Sequence, residues 1–513
     1  MGDLETIQWL GALSGLFFTF CFGAIVGSFL NVVVYRLPRG QNLVKPPSAC
    51  PACGTRLPWK YNFPIFGWLR LRGRCAFCKS RISPEYPIVE ACTALLFSVT
   101  FALWYMRPSL FGLIGVDAWA WTPEWALAGF TVTWPYFILL LVLFASLIAI
   151  TLIDAKTFLI PLELPWLVGA LGLVVHPAHA LWLSMSGQLH RVQTESHAWT
   201  IPLASGPWLG ASLLGALGIV IASVMLWKGW MPRSFADYEA WEQRAREDAE
   251  RARAEATPET STAPTTPSAS SSAMRALLFA GPGVAGMFFG MTLGLRAGGD
   301  AWMLSGAIGL VVGLLIGLVL RRVVPASSEV AATPEPPRHG EDDFLWTMYP
   351  HARREMLKEI LFLLPCAALG ALGWWLCDTG PLATPAAEAP LWLGALGGSV
   401  LGLLVGGGVV WAVRILGSLA FNKEAMGLGD VHLMAGVGAV LGWIDPTLAF
   451  FLAPFTGILW VLLSVLSKAL FNRAGAHLPY GPQLALMTVA VVVLKPVVEA
   501  GLTMLMGETV NLP

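Results

Sequence analysis

The feature that most constrains this sequence is its series of long apolar segments, several of which reach the roughly 20 residues that a helix needs to cross a bilayer. Hydrophobic residues make up 56% of the sequence and charged residues only 12%, whereas a soluble domain carries about 25% charged residues. Continuous apolar runs favour helices, because the strands of a membrane β-barrel alternate apolar and polar residues. We therefore predict an all-α polytopic membrane protein with about 10–12 transmembrane helices.

The formal net charge is zero, so the chain lacks the global basic signal of a nucleic-acid-binding protein. We predict membrane lipid, and no nucleic acid, among its partners. The start of the chain carries Asp3 and Glu5 but no Lys or Arg before the first apolar run. This is a poor signal-peptide start, so we interpret that run as a retained first helix.

Changes in composition divide the chain into five predicted parts. They are a first transmembrane helix (1–35), a polar module (36–87), transmembrane helices that include Asp154 (88–180), an insertion with extra spans and disordered cytoplasmic linkers (181–390), and transmembrane helices that include Asp430 (391–513). Within the insertion we predict a charged surface helix at 235–256, a disordered Ser-, Thr- and Pro-rich linker at 257–272, and two spans near 276–295 and 301–320.

The module at 36–87 is strongly basic, since ten Lys and Arg residues precede its first acid, Glu85. Loops this rich in cations lie on the cytoplasmic side of a membrane. When the predicted spans alternate from that starting point, Asp154 and Asp430 both fall on the cytoplasmic side. Asp378 and Asp445 fall outside, and we interpret them as ordinary cap or loop residues.

Four cysteines in the module have the spacing of a metal site: Cys50, Cys53, Cys75 and Cys78 form two C-x2-C pairs separated by 21 residues. Two such knuckles can supply the four thiolates of a tetrahedral zinc site. A disulfide pairing is the alternative, but the reducing cytoplasm disfavours it. Four cysteine ligands leave no open position, so we predict a small zinc-knuckle module in which zinc is structural.

Asp154 and Asp430 are candidate catalytic residues, because each follows an apolar stretch near a predicted membrane boundary, where a carboxylate is costly. Two carboxyl groups held close together cannot both ionise, so one can act as base while the other donates a proton. That is the chemistry of an aspartyl protease. Each acid alone could be a helix cap, but their shared predicted side and the Gly427-x-Gly429-Asp430 sequence favour catalysis.

Two smaller expectations concern other polar residues. Glu163 and Glu424 lie close to the two acids in sequence and could tune them, although exposed interfacial carboxylates are the commoner interpretation of such residues. We predict a fourth span near 162–175 followed by a loop at 176–205. In that loop His176, His179, His190 and His197 have irregular spacing, which is typical of ordinary polar loop residues and not of a metal site.

Several sequence blocks together resemble the type IV prepilin peptidases, which are GxGD-type membrane aspartyl proteases of pilus and type II secretion systems. The blocks are Gly27-Ser28-Phe29-Leu30-Asn31-Val32 with Tyr35-Arg36-Leu37-Pro38, the paired C-x2-C module, Asp154-x-x-Thr157-x-x-Ile160-Pro161, 423–433 with Gly442-Trp443, and Pro479-Tyr480-Gly481-Pro482. They cover about a quarter of the chain.

The resemblance implies a bacterial inner-membrane enzyme that cleaves the basic leader from prepilin or pseudopilin precursors on the cytoplasmic face. Many members then N-methylate the new N-terminus with S-adenosylmethionine, and module 36–87 would belong to that activity. Asp154 and Asp430 would be the catalytic pair, supported by Thr157, Pro161, Gly427, Gly429 and His432. His432 stands where the family usually has Lys, and Leu162 where it has Asp or Asn.

Two other functions remain open from the residues alone. A polytopic ion-coupled transporter could use Asp154 and Asp430 as ion sites, but it predicts acids near the bilayer midplane and repeated halves. A catalytically inactive scaffold organised by the zinc module is the third possibility. The methyltransferase activity and its cofactor depend on the resemblance alone, because no glycine-rich cofactor loop is evident in the sequence.

Overall fold

The structure, a computed structural model, describes residues 2–106, 122–188, 202–255, 349–382, 389–421, 423–471 and 480–506. In these residues the chain forms thirteen α-helices and no strand beyond two isolated β-bridges. The helices are α1 (Gly2–Arg36), α2 (Phe66–Arg70), α3 (Glu85–Tyr105), α4 (Phe130–Thr157), α5 (Glu163–Met185), α6 (Gly206–Trp227), α7 (Tyr238–Glu255), α8 (Ala352–Asp378), α9 (Leu391–Phe421), α10 (Leu428–Leu441), α11 (Ile444–Phe471), α12 (Tyr480–Val493) and α13 (Lys495–Met506).

The chain is a multi-pass helical membrane protein, as its apolar segments predict. Eight helices of the described ranges are long and apolar enough to cross a membrane: α1, α3, α4, α5, α6, α8, α9 and α11. The pair α12 and α13 forms a ninth candidate, bent by 95°. The predicted spans at 276–295 and 301–320 and the linker at 257–272 lie outside the described residues, so the total number of spans stays a prediction.

Helix α4 forms the centre of the bundle. Of its most apolar window, 72% is buried, against 50% or less in the other candidate spans of the described part. Leu140, Phe144 and Ile150 are fully enclosed, with α1, α3, α5 and α12 packed around them. A helix that is apolar on all sides belongs in the interior of a bundle, and this position fixes the end of α4 that carries Asp154.

Helix α10 is held between α5 and α9 by glycine contacts. A Cβ on Gly402 or Gly438 would collide with the backbone of the other residue, so α9 and α10 cross at backbone contact. On the opposite side, a Cβ on Gly436 would lie 2.5 Å from the carbonyl oxygen of Pro165. Small residues permit this close approach of helices within membranes. It holds α10, and with it Asp430, in one place.

Helices of the predicted insertion pack against the C-terminal helices. The backbones of α6 and α8 meet at Gly210 and Gly373, where a Cβ on either residue would collide with the other backbone. The backbone N–H of Ala204 donates to the carbonyl of Gly394 at the start of α9. The described part of 181–390 is thus a packed portion of the bundle.

The polar module folds back onto α3. It contains α2 and two short 3-10 turns, at Leu37–Arg39 and Trp59–Tyr61. The backbone N–H of Ile65, just before α2, donates to the buried carboxylate of Glu90 at 2.6 Å. Arg36 donates to backbone carbonyls of the following loop, including that of Pro46 at 2.7 Å. These contacts attach both sides of the module to the membrane helices.

The prediction of a loop from residue 176 onward is wrong, because α5 continues through Pro177 to Met185. His176 and His179 are buried in this helix, and their Nε2 atoms donate to the carbonyls of Val440 and Val132, each at 2.8 Å. A buried imidazole is tolerated where a neighbouring helix supplies an acceptor, and hydropathy alone does not reveal such a partner. His190 and His197 lie outside the described residues.

Candidate active site

Asp154 lies in the last turn of α4, three residues before the helix ends at Thr157. Its side chain is buried, with 4% of the residue exposed. The next residue after the helix, Phe158, adopts a left-handed conformation with φ 54°, and its N–H donates to the carbonyl of Asp154 at 2.8 Å. The chain therefore turns sharply just beyond the acid, which stays at the end of the buried helix.

Asp430 lies in the first turn of α10 and is 8% exposed. Gly427 is the residue before the helix, with an extended backbone (φ −69°, ψ 145°), and its N–H donates to the Asp430 carboxyl group. An acid in the first helical turn is also favoured by the helix dipole. The glycine-rich sequence thus forms a helix start that orients Asp430.

Ile160 and Gly481 bring the two acids into one site. Gly481, in the first turn of α12, donates its N–H to the Asp154 carboxyl group, and a Cβ at this position would collide with that carboxylate. Ile160 packs between the two sides, because a Cβ on Gly429 would lie 3.0 Å from the Cβ of Ile160 and one on Gly481 would lie 3.4 Å from its Cδ1. The Asp154 and Asp430 carboxyl groups thus lie near enough for the charge of one to act on the other.

The geometry permits the chemistry of a carboxyl dyad. Both acids are buried and close, and two carboxyl groups placed in this way can share a single proton, because ionising one disfavours ionising the other. The backbone donors Gly481 and Gly427 hold one carboxyl group each. One acid can then act as base toward a water molecule while the other donates a proton, with no metal in the step.

The four cysteines of the module form a separate cluster. Their Sγ atoms all lie within 4.8 Å of one another, and the group could hold a metal ion. The two knuckles are built alike: the N–H of Gly54 donates to the carbonyl of Cys50 at 2.8 Å, and that of Lys79 to the carbonyl of Cys75 at 3.2 Å. Gly54 and Lys79 have φ values of 67° and 61°. Each turn therefore directs its two thiols toward the other knuckle.

The thiols are suited to metal binding. All four are free, and the Sγ atoms of Cys50 and Cys78 are 3.8 Å apart, well beyond the roughly 2.05 Å of a disulfide bond. A hydrogen bond with the Ser80 hydroxyl is the main cause that lowers the pKa of the Cys78 thiol to about 6. The thiolate is the form that ligates a metal, so this donor set fits a tetrahedral soft-metal site.

Two family models match the chain, one near each end. The bacterial peptidase A24 N-terminal domain matches residues 21–104, which include the cysteine cluster. The type IV leader peptidase family matches residues 361–462, which include Asp430. Neither match includes Asp154, which lies between them.

Curated relatives match larger parts of the chain. A prepilin leader peptidase/N-methyltransferase of Pectobacterium carotovorum subsp. carotovorum is 31% identical over 267 residues, which cover 43% of this chain and 84% of that protein. The chain belongs to the prepilin leader peptidase/N-methyltransferase family. A relative of the same name from Neisseria gonorrhoeae is 31% identical, over 40% of this chain and 79% of its own length. One from Myxococcus xanthus (strain DK1622) is 52% identical over 80 residues, 16% of this chain and 24% of that protein. No solved structure gives a significant match.

Three other residues are predicted to support the site: Thr157, Pro161 and His432. Their hydrogen bonds go to groups other than the two acids. The Thr157 hydroxyl donates to the carbonyl of Ile153 at 2.9 Å, within its own helix. Pro161 lies in the turn between α4 and α5, where its carbonyl accepts from Leu164. The His432 ring is 5.6 Å from that of Trp166, and its Nδ1 donates to the carbonyl of Leu428. None of these contacts reaches either acid directly.

Sequence reasoning missed Arg414, which is 1% exposed in α9 and whose charge acts on Asp430. An arginine within a glycine-rich apolar span was the available signal, because such residues are costly and usually functional. It also explains Glu424, which forms an ion pair with Arg414 at 2.5 Å. Of the two interpretations of Glu424, the exposed carboxylate is wrong, because its side chain is only 17% exposed and is paired with Arg414.

Proposed function

We propose that this chain is a membrane aspartyl endopeptidase in which Asp154 and Asp430 form the catalytic pair. Its substrates are the leader-bearing precursors of type IV pilins and related pseudopilins, and it also N-methylates the processed product. The names of the relatives support the two activities. The observation that carries the peptidase mechanism is the proximity of two buried carboxyl groups: Asp154 lies against Gly481, Asp430 follows Gly429, and Ile160 packs against both glycines.

The peptidase step follows from a dyad that shares one proton. The ionised carboxylate removes a proton from water as the water oxygen bonds to the scissile carbonyl carbon. The protonated partner donates its proton to the carbonyl oxygen, giving a neutral tetrahedral diol. As the C–N bond breaks, the amine takes up the proton from the acid that received it. One diol hydroxyl gives its proton to the other carboxylate as its oxygen becomes the carbonyl oxygen of the product, so the dyad again holds one proton.

The placement of the two acids favours this function over ion transport. A transporter would hold its ion-binding acids near the bilayer midplane, on broken helices. Asp154 instead lies in the last turn of α4 and Asp430 in the first turn of α10. Acids at helix ends can meet a substrate that approaches from the aqueous side of the membrane.

We place the site at the cytoplasmic face of a bacterial inner membrane. The basic loop between α1 and α3 supports this orientation through the positive-inside rule. Lys156, two residues beyond Asp154, forms an ion pair with Glu85 at the start of α3. The end of α4 that carries the acid thus lies on the same side as the module.

We propose zinc as the metal of the cysteine cluster, with Cys50, Cys53, Cys75 and Cys78 as its ligands. Zinc held by four thiolates supplies folding stability and has no open position for substrate. Metal analysis of the purified chain should find one zinc per chain. The Cys50→Ser, Cys75→Ser double variant should lose it, whereas Cys92→Ser, at an exposed cysteine outside the cluster, should retain it. Zinc-free wild-type protein would contradict the assignment.

For the methyl transfer we propose S-adenosylmethionine as the donor, in line with the names of the relatives. When bound, this cofactor supplies an activated methyl group. Neither described cavity borders the module: one is lined by Asp445 and Lys495, the other by Trp166 and Trp227. We therefore assign the cofactor no ligands.

The decisive experiment is co-expression of a prepilin-like substrate with wild type, Asp154→Asn and Asp430→Asn. Both variants keep the shape of the carboxyl group and remove only its acid–base function. We expect the wild type to remove the leader and both variants to leave it intact while they accumulate in the membrane normally. The mass of the product also reports an added methyl group. Normal cleavage by either variant would overturn the dyad.

A further inference from the structure

Arg414 is the largest side chain that is fully enclosed in the described residues, with 1% exposed. Its guanidinium group has three partners in two parts of the chain. It donates to Glu359 of α8 at 3.1 Å, to Glu424 at 2.5 Å and to the carbonyl of Met426. A buried cation needs such partners, because an unpaired one is strongly destabilising.

The contacts of Arg414 fix the loop that leads to Asp430. Glu424 and Met426 both belong to the short connection between α9 and α10. The N–H of Ala425, between them, donates to the Ser418 hydroxyl at 3.0 Å, so the connection folds back on the last turns of α9. The next residue is Gly427, whose N–H holds the Asp430 carboxyl group. Arg414 therefore binds the carbonyl of Met426, the residue immediately before the donor that orients this acid.

Glu359 in turn fixes Arg414. It is 3% exposed, and its carboxylate accepts from the Trp411 indole at 2.6 Å as well as from Arg414. Trp411 and Arg414 both lie on α9, whereas Glu359 lies on α8. A single carboxylate on α8 thus sets the position of the guanidinium group relative to α9.

The segment before α7 covers this network. The Phe235 ring lies 5.6 Å from the Arg414 guanidinium group. The N–H of Phe235 donates to Glu355 at 2.6 Å, and Asp237 forms an ion pair with Arg354 at 2.8 Å. Both Glu355 and Arg354 are in the first turn of α8. The segment and the first turns of α8, which carry Glu355 and Glu359, precede residue 361, where the second family match begins.

We propose that Arg414 is a positioning residue which holds the Glu424–Gly427 connection, and thereby Asp430, in its reactive geometry, and that Glu359 holds Arg414. Helix α8 and Phe235 of the insertion then contribute to the placement of a catalytic acid. This inference rests on the proposed peptidase function. A guanidinium group suits the role because its rigid fork joins three partners at fixed angles, which a lysine ammonium group does not.

A stabilising role alone would not require this arrangement. Replacing a buried ion pair by apolar residues of similar volume is often neutral or stabilising, so stability does not explain two acids on one arginine. Arg414, Glu359 and Glu424 also transfer no proton to the substrate in this mechanism, because the two aspartates supply the proton transfers. What Arg414 controls is the geometry of the connection, and misplacement of a reacting group by about 1 Å can cost about 100-fold in rate.

The kinetic test uses purified protein, a prepilin-like substrate and four variants. We expect Arg414→Lys to lower kcat about 100-fold and Glu359→Gln and Glu424→Gln about tenfold each, with KM changed by no more than about twofold. Arg353→Gln is the matched control: this exposed arginine of α8 donates to carbonyls at the end of α9, including that of Leu419 at 2.9 Å. It should keep wild-type kcat within about twofold.

A second readout does not depend on activity. Hydrogen exchange in the peptide covering 423–428 should be faster in Arg414→Lys and in Glu424→Gln than in wild type, while the peptide covering 150–157 stays protected. Glu424 is only partly buried, so its variant tests the connection even if Arg414→Lys does not fold. If wild type fails to cleave any substrate, the proposed function fails, and hydrogen exchange still decides the positioning role.

Two results would overturn the inference. One is unchanged exchange at 423–428 in both variants. The other is a loss of activity that appears in KM with kcat retained, which would indicate contact with the substrate. A double-mutant comparison strengthens the test: if Glu359 acts through Arg414, combining Glu359→Gln with Arg414→Lys should cost less than the product of the single effects, and fully multiplicative losses would contradict that route.

Discussion

The short helix α10 has an aspartate close to each end, and the two ends differ. Asp430 lies in the first turn, against a second acid, Asp154, and the N–H of Gly427. Asp445 lies four residues beyond the other end, in the first turn of α11. It lines an aromatic cavity and faces the cation Lys495.

The comparison of these two ends indicates that an acid in an apolar helical bundle is not by itself a catalytic group. At the Asp445 end a single acid lines a cavity together with Lys495, and no second acid of the described residues lines that cavity. At the Asp430 end two acids are brought together, an arrangement in which one proton can be shared between them. Glycines enforce this second arrangement, because a side chain at Gly481 would occupy the space of the Asp154 carboxylate.

The largest expected effect separates the two ends directly. Asp154→Asn and Asp430→Asn should each lower leader cleavage by at least about 1,000-fold, since each removes an acid–base group from the dyad. Asp445→Asn should keep cleavage within about threefold. Rates measured by mass spectrometry of the substrate, with membrane levels matched by immunoblot, check both statements. A loss in Asp445→Asn as large as in the dyad variants would remove the distinction.

The next effect tests whether the glycine contact defines the reactive end. Gly481→Ala should lower kcat about 100-fold, because the new methyl group displaces the Asp154 carboxylate. Gly457→Ala is the control: this glycine of α11 has open space around its Cβ position, so its variant should retain wild-type activity. If Gly481→Ala were as active as the control, the tight packing around Asp154 would not matter for catalysis.

Much of this architecture could be predicted from the sequence, because it depends on patterns of residues that are close together along the chain. The apolar segments predict the helical bundle, and the C-x2-C spacing predicts the cysteine cluster. The same holds for Asp154 and Asp430 as candidates, since an acid at the end of an apolar segment stands out without any knowledge of its neighbours. Their catalytic role remains a prediction.

The remaining features depend on contacts between distant segments. His176 and Val440 are 264 residues apart, and their hydrogen bond keeps the histidine inside α5. Glu359 and Arg414 belong to different helices, so neither residue indicates its partner from its own surroundings. Hydropathy indicates that burying such a polar residue costs free energy, but it does not identify the partner that offsets this cost. Here the partner determines whether the residue lies in a buried helix, in a loop or in the site.

A smaller effect tests the middle of α10, where this helix crosses α9. Gly402→Ala should destabilise the protein by about 1–3 kcal/mol, because the new methyl group overpacks the crossing of α9 with α10. Gly408→Ala, on the same helix with open space at its Cβ position, should be neutral or gain up to about 1 kcal/mol in helix stability. Thermal unfolding in detergent compares them. Equal melting temperatures for the two variants would mean that the crossing tolerates a side chain.

The smallest effect concerns the surface contact between Asp237, just before α7, and Arg354 of α8. Hydrogen bonds from the Arg354 guanidinium group and the Tyr349 hydroxyl hold the pKa of Asp237 well below its usual range. A lowered folded-state pKa means that the contact stabilises the protein fully above the unfolded pKa of about 3.9. That stabilisation is lost as the pH falls through the lower folded value.

The melting temperature of Asp237→Asn should therefore lie below that of wild type by a constant amount from about pH 5 to pH 8, and the gap should close only in stronger acid. Because Asp237 is exposed at the surface and Phe235 keeps its own contacts, cleavage should change by no more than about twofold. A gap that widens toward low pH would mean that the acid binds its proton in the folded state, and Arg354 would then not be its partner. The segment before α7 would in that case lose its ion pair with α8, whereas the Asp445 end would be unaffected.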